Sequence, residues 1–139
     1  MLKLKFSNFE FECGTDEAGR GCLAGPVTAA AIILKNNFPK NEINDSKKIS
    51  KKTRDKLKTI IKKNALKYSI AHVYPEKIDK INILNASILA MHKAIYKITT
   101  KINFIIVDGN KFKSFKNIAH KTIIKGDEKY LSIAAASIL

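Results

Sequence analysis

Ile102-Asn103-Phe104-Ile105-Ile106-Val107-Asp108-Gly109 is a short, dense β-branched run ending in an acid and a glycine, the form of a buried strand that opens into a loop. Upstream of it, Leu84, Ile88, Met91, Ile95 and Ile98 recur at helical intervals and predict a helix over Ile81–Ile98. A helix feeding a buried strand implies an α/β layer arrangement. The same patterns extend outward in both directions. Leu2, Leu4 and Phe6, then Phe9, Phe11 and Cys13, alternate with polar residues and predict a strand over Leu2–Cys13 that runs into Gly14 and leads to Thr15-Asp16-Glu17. Val27–Leu34 is nearly all apolar and suits a strand covered on both faces. Asn36–Asn44, with Pro39, is loop. Ser50 can cap a helix from Lys51 to about Ala65 whose apolar face carries Leu57, Ile60 and Ile61. Tyr68–Tyr74 reads as a strand stopped by Pro75. Lys121–Lys125 reads as a further short strand punctuated by Gly126, with Asp127 at or near the start of a last helix through Ser132 to Leu139.

The chain has 139 residues, the size of one domain, so residues 1–139 are expected to share a single core. Its 26 Lys and Arg against 12 Asp and Glu give a net charge of +14, which favours a polyanionic partner such as nucleic acid. Arg20 and Arg54 are the only arginines, and the lysine, isoleucine and asparagine excess is also what an A- and T-rich coding sequence produces. Charge alone therefore supports a nucleic-acid partner without deciding it. The longest apolar stretch, Ala24–Leu34, is about half of the ~20 residues that cross a bilayer, and the first residues have no apolar signal core. No membrane span or secretion is expected. Cys13 and Cys22 have no histidine at zinc spacing and read as small hydrophobes in a reducing, cytoplasmic setting. His72, His92 and His120 form no metal pattern, and Phe112 and Phe115 read as local hydrophobic anchors.

In a chain so poor in acid, the placement of acids is informative. Asp16 and Glu17 follow one strand, Asp108 ends another, and Asp127 follows a glycine after a third. Carboxylates at strand ends of an α/β sheet converge on one edge, where ligands of such folds bind. A carboxylate cluster without His or Cys selects Mg²⁺ or Mn²⁺ over zinc. Read singly, the same residues are also a solvated turn at Asp16-Glu17, a turn at Asp108-Gly109-Asn110 and an acidic helix entry at Gly126-Asp127.

The combination carries a resemblance. Gly14-Thr15-Asp16-Glu17-Ala18-Gly19-Arg20-Gly21, followed by Leu23-Ala24-Gly25-Pro26-Val27, resembles the opening signature of the ribonuclease HII family. Asn44-Asp45-Ser46-Lys47-Lys48-Ile49-Ser50, Ile81-Asn82-Ile83-Leu84, Val107-Asp108-Gly109-Asn110, Lys125-Gly126-Asp127 and Ser132–Ile138 match later family motifs in order. The resemblance implies a ribonuclease H-like fold, with a mixed central sheet flanked by helices. It also implies two-metal hydrolysis of RNA in RNA-DNA hybrids, and of ribonucleotides embedded in duplex DNA, giving 5′-phosphate and 3′-hydroxyl ends. On this resemblance Asp16, Glu17, Asp108 and Asp127 bind two Mg²⁺ or Mn²⁺ ions. By the same resemblance Gly19, Arg20 and Gly21 are expected to lie against the ribonucleotide's 2′-hydroxyl and the junction phosphate, while Lys47 and Lys48, after the loop and before the basic helix, read as phosphate contacts that help set register on a duplex. Cys22 stands where the family commonly has proline. Family members continue beyond Ser132–Ile138, and the apolar final helix has no glycine cap, basic last turn or polar exit, so the chain is expected to lack the C-terminal helices. A monomer is expected. The alternatives are a catalytically impaired nucleic-acid-binding remnant of the family and a lysine-rich structural nucleic-acid-binding protein.

Overall fold

The computed structural model describes residues 2–18, 25–39, 43 and 50–139. Five strands form one mixed sheet in the order β3-β2-β1-β4-β5. β1 (Glu12–Ala18) pairs antiparallel with β2 (Val27–Leu34), and β2 pairs antiparallel with β3 (Ala65–Val73). β4 (Phe104–Asp108) and β5 (Ala119–Ile123) continue the sheet in parallel from the other side of β1. Among the described residues three α-helices cover it: α1 (Lys51–Asn64), α2 (Pro75–Lys97) and α3 (Leu131–Ile138).

The two-residue period of a strand sorts β2 between two cores. Val27, Ala29, Ala31 and Ile33 join the cluster that includes Ala90, Met91 and Ile95 of α2. Ala30, Ile32 and Leu34 join the opposite cluster with Leu57 and Ile61 of α1 and Leu131, Ala134 and Ile138 of α3. A strand buried on both faces has no polar side to show, which is why Val27–Leu34 reads as an unbroken apolar run. α1 starts where its cap predicts, with the Ser50 hydroxyl accepting from the Thr53 N–H at 3.2 Å.

Several boundaries differ from the sequence reading, among them the start of β3, which lies at Ala65 rather than Tyr68. Only Glu12 and Cys13 of the expected Leu2–Cys13 strand lie in β1, which runs on through Gly14 to Ala18. The earlier residues form an irregular strap. Buried Glu12 accepts from the N–H groups of Phe6 (2.9 Å) and Ser7 (2.7 Å), and Phe6 and Phe9 stack on Phe104. Gly14 is not a stop but a point of close approach: a Cβ there would lie 2.3 Å from Ser132 Oγ, so its missing side chain lets α3 lie on β1. α2 begins at Pro75 rather than Ile81 and is broken at Asn82 (φ 71°, ψ 169°), whose side chain accepts from the Asn85 N–H at 3.0 Å and recaps the helix. The helix read over Ile81–Ile98 is the part beyond this break. Finally, β5 is Ala119–Ile123 rather than Lys121–Lys125. Asp127 sits in a 3₁₀ turn (Gly126–Glu128), and α3 starts only at Leu131.

Among the described residues, no helix is long and apolar enough to cross a membrane. Cys13 is fully buried, and burial pushes its thiol up to about 12, so it packs as a hydrophobe.

Gly14→Ala should lower stability by about 1–3 kcal/mol, the cost of overpacking where the neighbour is α3 itself. Gly25→Ala, which meets nothing within 4 Å, should stay within about 0.5 kcal/mol of the parent. Urea unfolding of both variants tests this, and equal losses would contradict the role given to Gly14.

Candidate metal centre

The register of β1 on β4 sets Thr15 beside Val107, so Asp16 and Asp108, each one residue further along, emerge side by side from adjacent parallel strands. Their carboxyls are close enough to interact directly. Asp16 is buried, and burial first, then the neighbouring charges of Asp108 and Glu17, push its carboxyl up to about 9. Asp108 is held from its other side, where Oδ1 accepts from the Gly126 N–H at 2.8 Å. That contact also needs a glycine, because a Cβ on residue 126 would lie 2.5 Å from Ile133 of α3. Asp127 follows directly, half-buried in the 3₁₀ turn.

Strand alternation separates Asp16 from Glu17. Asp16 continues the face on which Gly14 meets α3, and it lines a hollow with Ala136 and Ile138 of α3 and Arg54 and Lys58 of α1. Glu17 borders that hollow and also a second one of about 260 Å³, on the α2 side, shared with Asp108, Ser87, Asn110 and Lys111. The acids thus reach one end of the sheet from both faces. As placed, no three acidic, histidine or cysteine side chains among the described residues are gathered closely enough to hold an ion.

The donor chemistry nevertheless fits a hard divalent cation. Neither hollow is lined by a described histidine or cysteine, and two aspartates in contact, one of them keeping a proton far above its ordinary range, mark a place where positive charge is favoured. Gly19, Arg20, Gly21, Lys47 and Lys48 lie outside the described residues. Sequence analysis reads the Lys51–Ala65 helix only for its cap and apolar face and assigns no role to Arg54 or Lys58. Their signal is the four-residue spacing that puts both on one face, together with an arginine in a chain that has only two.

Residues 13–139 match the family model described as Ribonuclease HII. A ribonuclease HII of Christiangramia forsetii is 59% identical over 126 residues, covering 91% of this chain and 64% of the relative, so the chain spans a little under two thirds of that protein's length. The ribonuclease HII of Archaeoglobus fulgidus, solved in a complex with PCNA, superposes with a TM-score of 0.74 at 27% identity over 92% of this chain and 69% of that one. The ribonuclease H2 of Pyrococcus horikoshii does so with a TM-score of 0.79 at 24% identity over 91% and 68%. The shared fold is ribonuclease H-like.

Crowding at Asp16 sets the sign of a pH effect. The folded chain keeps a proton on Asp16 up to about pH 9, whereas the unfolded chain loses it near the ordinary value of 3.8. This contribution to stability is therefore complete at low pH and is lost between those values, at up to ~1.4 kcal/mol per pH unit. In chelator, Asp16→Asn should become more stable relative to the parent as pH rises from 5 to 8. Parallel pH profiles in urea unfolding would show that Asp16 ionises freely.

Proposed function

The chain belongs to the ribonuclease HII family, and from that membership we propose that it is an endoribonuclease acting as a single catalytic domain. Its substrates are the RNA strand of RNA-DNA hybrids and ribonucleotides embedded in duplex DNA, cleaved to 5′-phosphate and 3′-hydroxyl ends. The observation that carries the reading is the meeting of Asp16 and Asp108 at the ends of neighbouring parallel strands. Asp16, Glu17, Asp108 and Asp127 are the proposed ligands of Mg²⁺ or Mn²⁺, two ions in the presence of substrate. Bound there, the ions supply Lewis-acid stabilisation of the charge that develops on the attacked phosphodiester.

The chain's own groups have distinct tasks in this reading. Asp16, whose carboxyl burial and its acidic neighbours push up, would give its proton to solvent on serving as a ligand, and Asp108 is kept in place by the Gly126 N–H. Glu17 approaches from the α2 side. Arg54 and Lys58, beside Asp16, suit the phosphates flanking the reacting one. Gly19, Arg20 and Gly21 are assigned to the 2′-hydroxyl, which is what separates RNA from DNA at one position, and Lys47 and Lys48 to backbone phosphates. Buried, protonated Cys13 suits the reducing, cytoplasmic setting included in the proposal, along with action as a monomer.

Binding without cleavage is the competing reading, favoured by the lack, among the described residues, of a third acid gathered to the Asp16–Asp108 pair. A labelled DNA duplex carrying one ribonucleotide separates the two. In Mg²⁺ or Mn²⁺ the chain should nick it on the 5′ side of the ribonucleotide, and chelator should stop the reaction. Asp108→Asn should slow cleavage by more than the ~10–100-fold typical of groups that only orient a ligand, while leaving duplex binding in place. Intact substrate with both metals, from protein shown to be folded, would leave the binding reading standing.

A further inference from the structure

Between Lys80 and Gly126 the sequence contains eight lysines and a single acid, Asp108. The fold lays much of this stretch along one surface. Leu84, Ile88, His92 and Tyr96 recur every four residues on α2 beyond its break, and so share one face of the helix. The loop from Gly109 to Ile118 runs beside that face and is tied to it where His92 Nε2 donates to the Lys113 carbonyl at 2.8 Å. Three hollows adjoin along the seam. The first contains Glu17 and Asp108 and shares Ile88 with the second, which shares His92 with the third. The third, of about 340 Å³, is bordered by Lys93, Tyr96, Lys97 and Phe115. The seam therefore begins at the acidic residues and ends at Tyr96, a residue 67% exposed.

The far end of the seam is built rather than incidental. Lys116 (φ 46°) and Asn117 (φ 62°) both take the left-handed conformation, in a tight turn closed by the Ile118 N–H donating to the Phe115 carbonyl at 2.9 Å. Two consecutive non-glycine residues adopt this shape at a conformational cost. It sets the Lys116 ammonium 4.5 Å from the centre of the Tyr96 ring. Phe112 and Phe115 pack edge-on against His92 beneath it.

We propose that this seam between α2 and the β4–β5 loop is a second nucleic-acid contact, a track on which the backbone of one strand lies as it leaves the acidic centre, with Lys93, Lys113 and Lys116 meeting its phosphates. The inference rests on the nucleic-acid substrate proposed above and extends its footprint. Its reach follows from helix geometry: Leu84 to Tyr96 covers about 18 Å, and one strand of a duplex carries a phosphate about every 3.4 Å of axis, so the track takes about five nucleotides. Phosphate contacts of this kind set register and affinity without reading sequence.

Binding is measured by fluorescence anisotropy, without divalent ions, on hairpin-capped duplexes containing one ribonucleotide, with the arm on one side or the other either shorter or longer than the track. Lengthening the arm on one side should tighten binding about tenfold. In Lys93→Ala/Lys113→Ala/Lys116→Ala, all exposed positions, that gain should largely disappear, and the slope of log affinity against log salt should fall by about three. Lys52→Ala/Lys56→Ala/Lys63→Ala, with the same charge loss on α1 across the sheet, should keep the arm effect. Tyr96→Phe should retain the effect and Tyr96→Ala reduce it, because the ring seats Lys116. An arm effect that survives the first triple variant, or that both triple variants lose equally, overturns the track. So does absence of duplex binding, or preference for polyglutamate over duplex. The same duplexes incubated with Mg²⁺ test the nuclease reading separately: no cleavage with an intact arm effect counts against that reading alone.

Discussion

Parallel pairing of β1 with β4 forces two acids together, and much of the molecule is arranged around that pairing. The ladder fixes Thr15 against Val107, and neighbouring strands lie about 4.8 Å apart, so Asp16 and Asp108 have no backbone freedom with which to separate. Two like charges about 4 Å apart repel by ~4 kcal/mol at an effective dielectric of 20, a large share of the ~5–15 kcal/mol that holds a domain folded. Burial first, and this repulsion after it, favour a proton on Asp16, and the proposed function relieves both by admitting cations. Either way, the acids are tolerated because neutralising charge arrives at the same place.

The strands bearing those acids are anchored by α3, and the anchoring relies on missing side chains. Gly14 on β1 accepts Ser132, and Gly126 after β5 accepts Ile133 while its N–H holds Asp108. The first turns of α3 therefore touch the support of both aspartates. Ser132 Oγ, buried and without a hydrogen-bond partner among the described residues, shows how closely this contact is drawn: packing against Gly14 takes precedence over satisfying a hydroxyl. Sequence, packing and site chemistry meet in these two glycines.

Much of this was legible beforehand, and the reasons differ by element. Val27–Leu34 and Phe104–Val107 could be read because sheet interiors tolerate little but apolar side chains, and Ser50 because a cap is a local interaction. Leu2–Glu10 could not, because its alternating apolar residues serve unlike purposes: Leu2 enters the core, while Phe6 and Phe9 stack on Phe104 near the surface. Gly14 reads as punctuation in one dimension and as a contact only when α3 is present. At the site, acids at strand ends stood out against a basic background. The opposite facing of Asp16 and Glu17 was implicit in strand periodicity, whereas the nearness of Arg54 and Lys58 depends on how α1 docks. The substrate-facing roles of Gly19, Arg20 and Gly21 rest on resemblance and those of Lys47 and Lys48 on their place before a basic helix, since these residues lie outside the described structure.

The strap formed by the first residues has a consequence of its own. Both carboxyl oxygens of Glu12 are spent on the amides of Phe6 and Ser7, and the Leu131 N–H donates to the Lys3 carbonyl at the head of α3. Trimming the chain to the first residue matched by the family would discard Glu12 along with its amides, whereas a cut just before Glu12 would keep the acid and remove both of its donors. The boundary at which this protein can be shortened is thus set by where a buried acid finds its donors, not by where the recognisable motif begins.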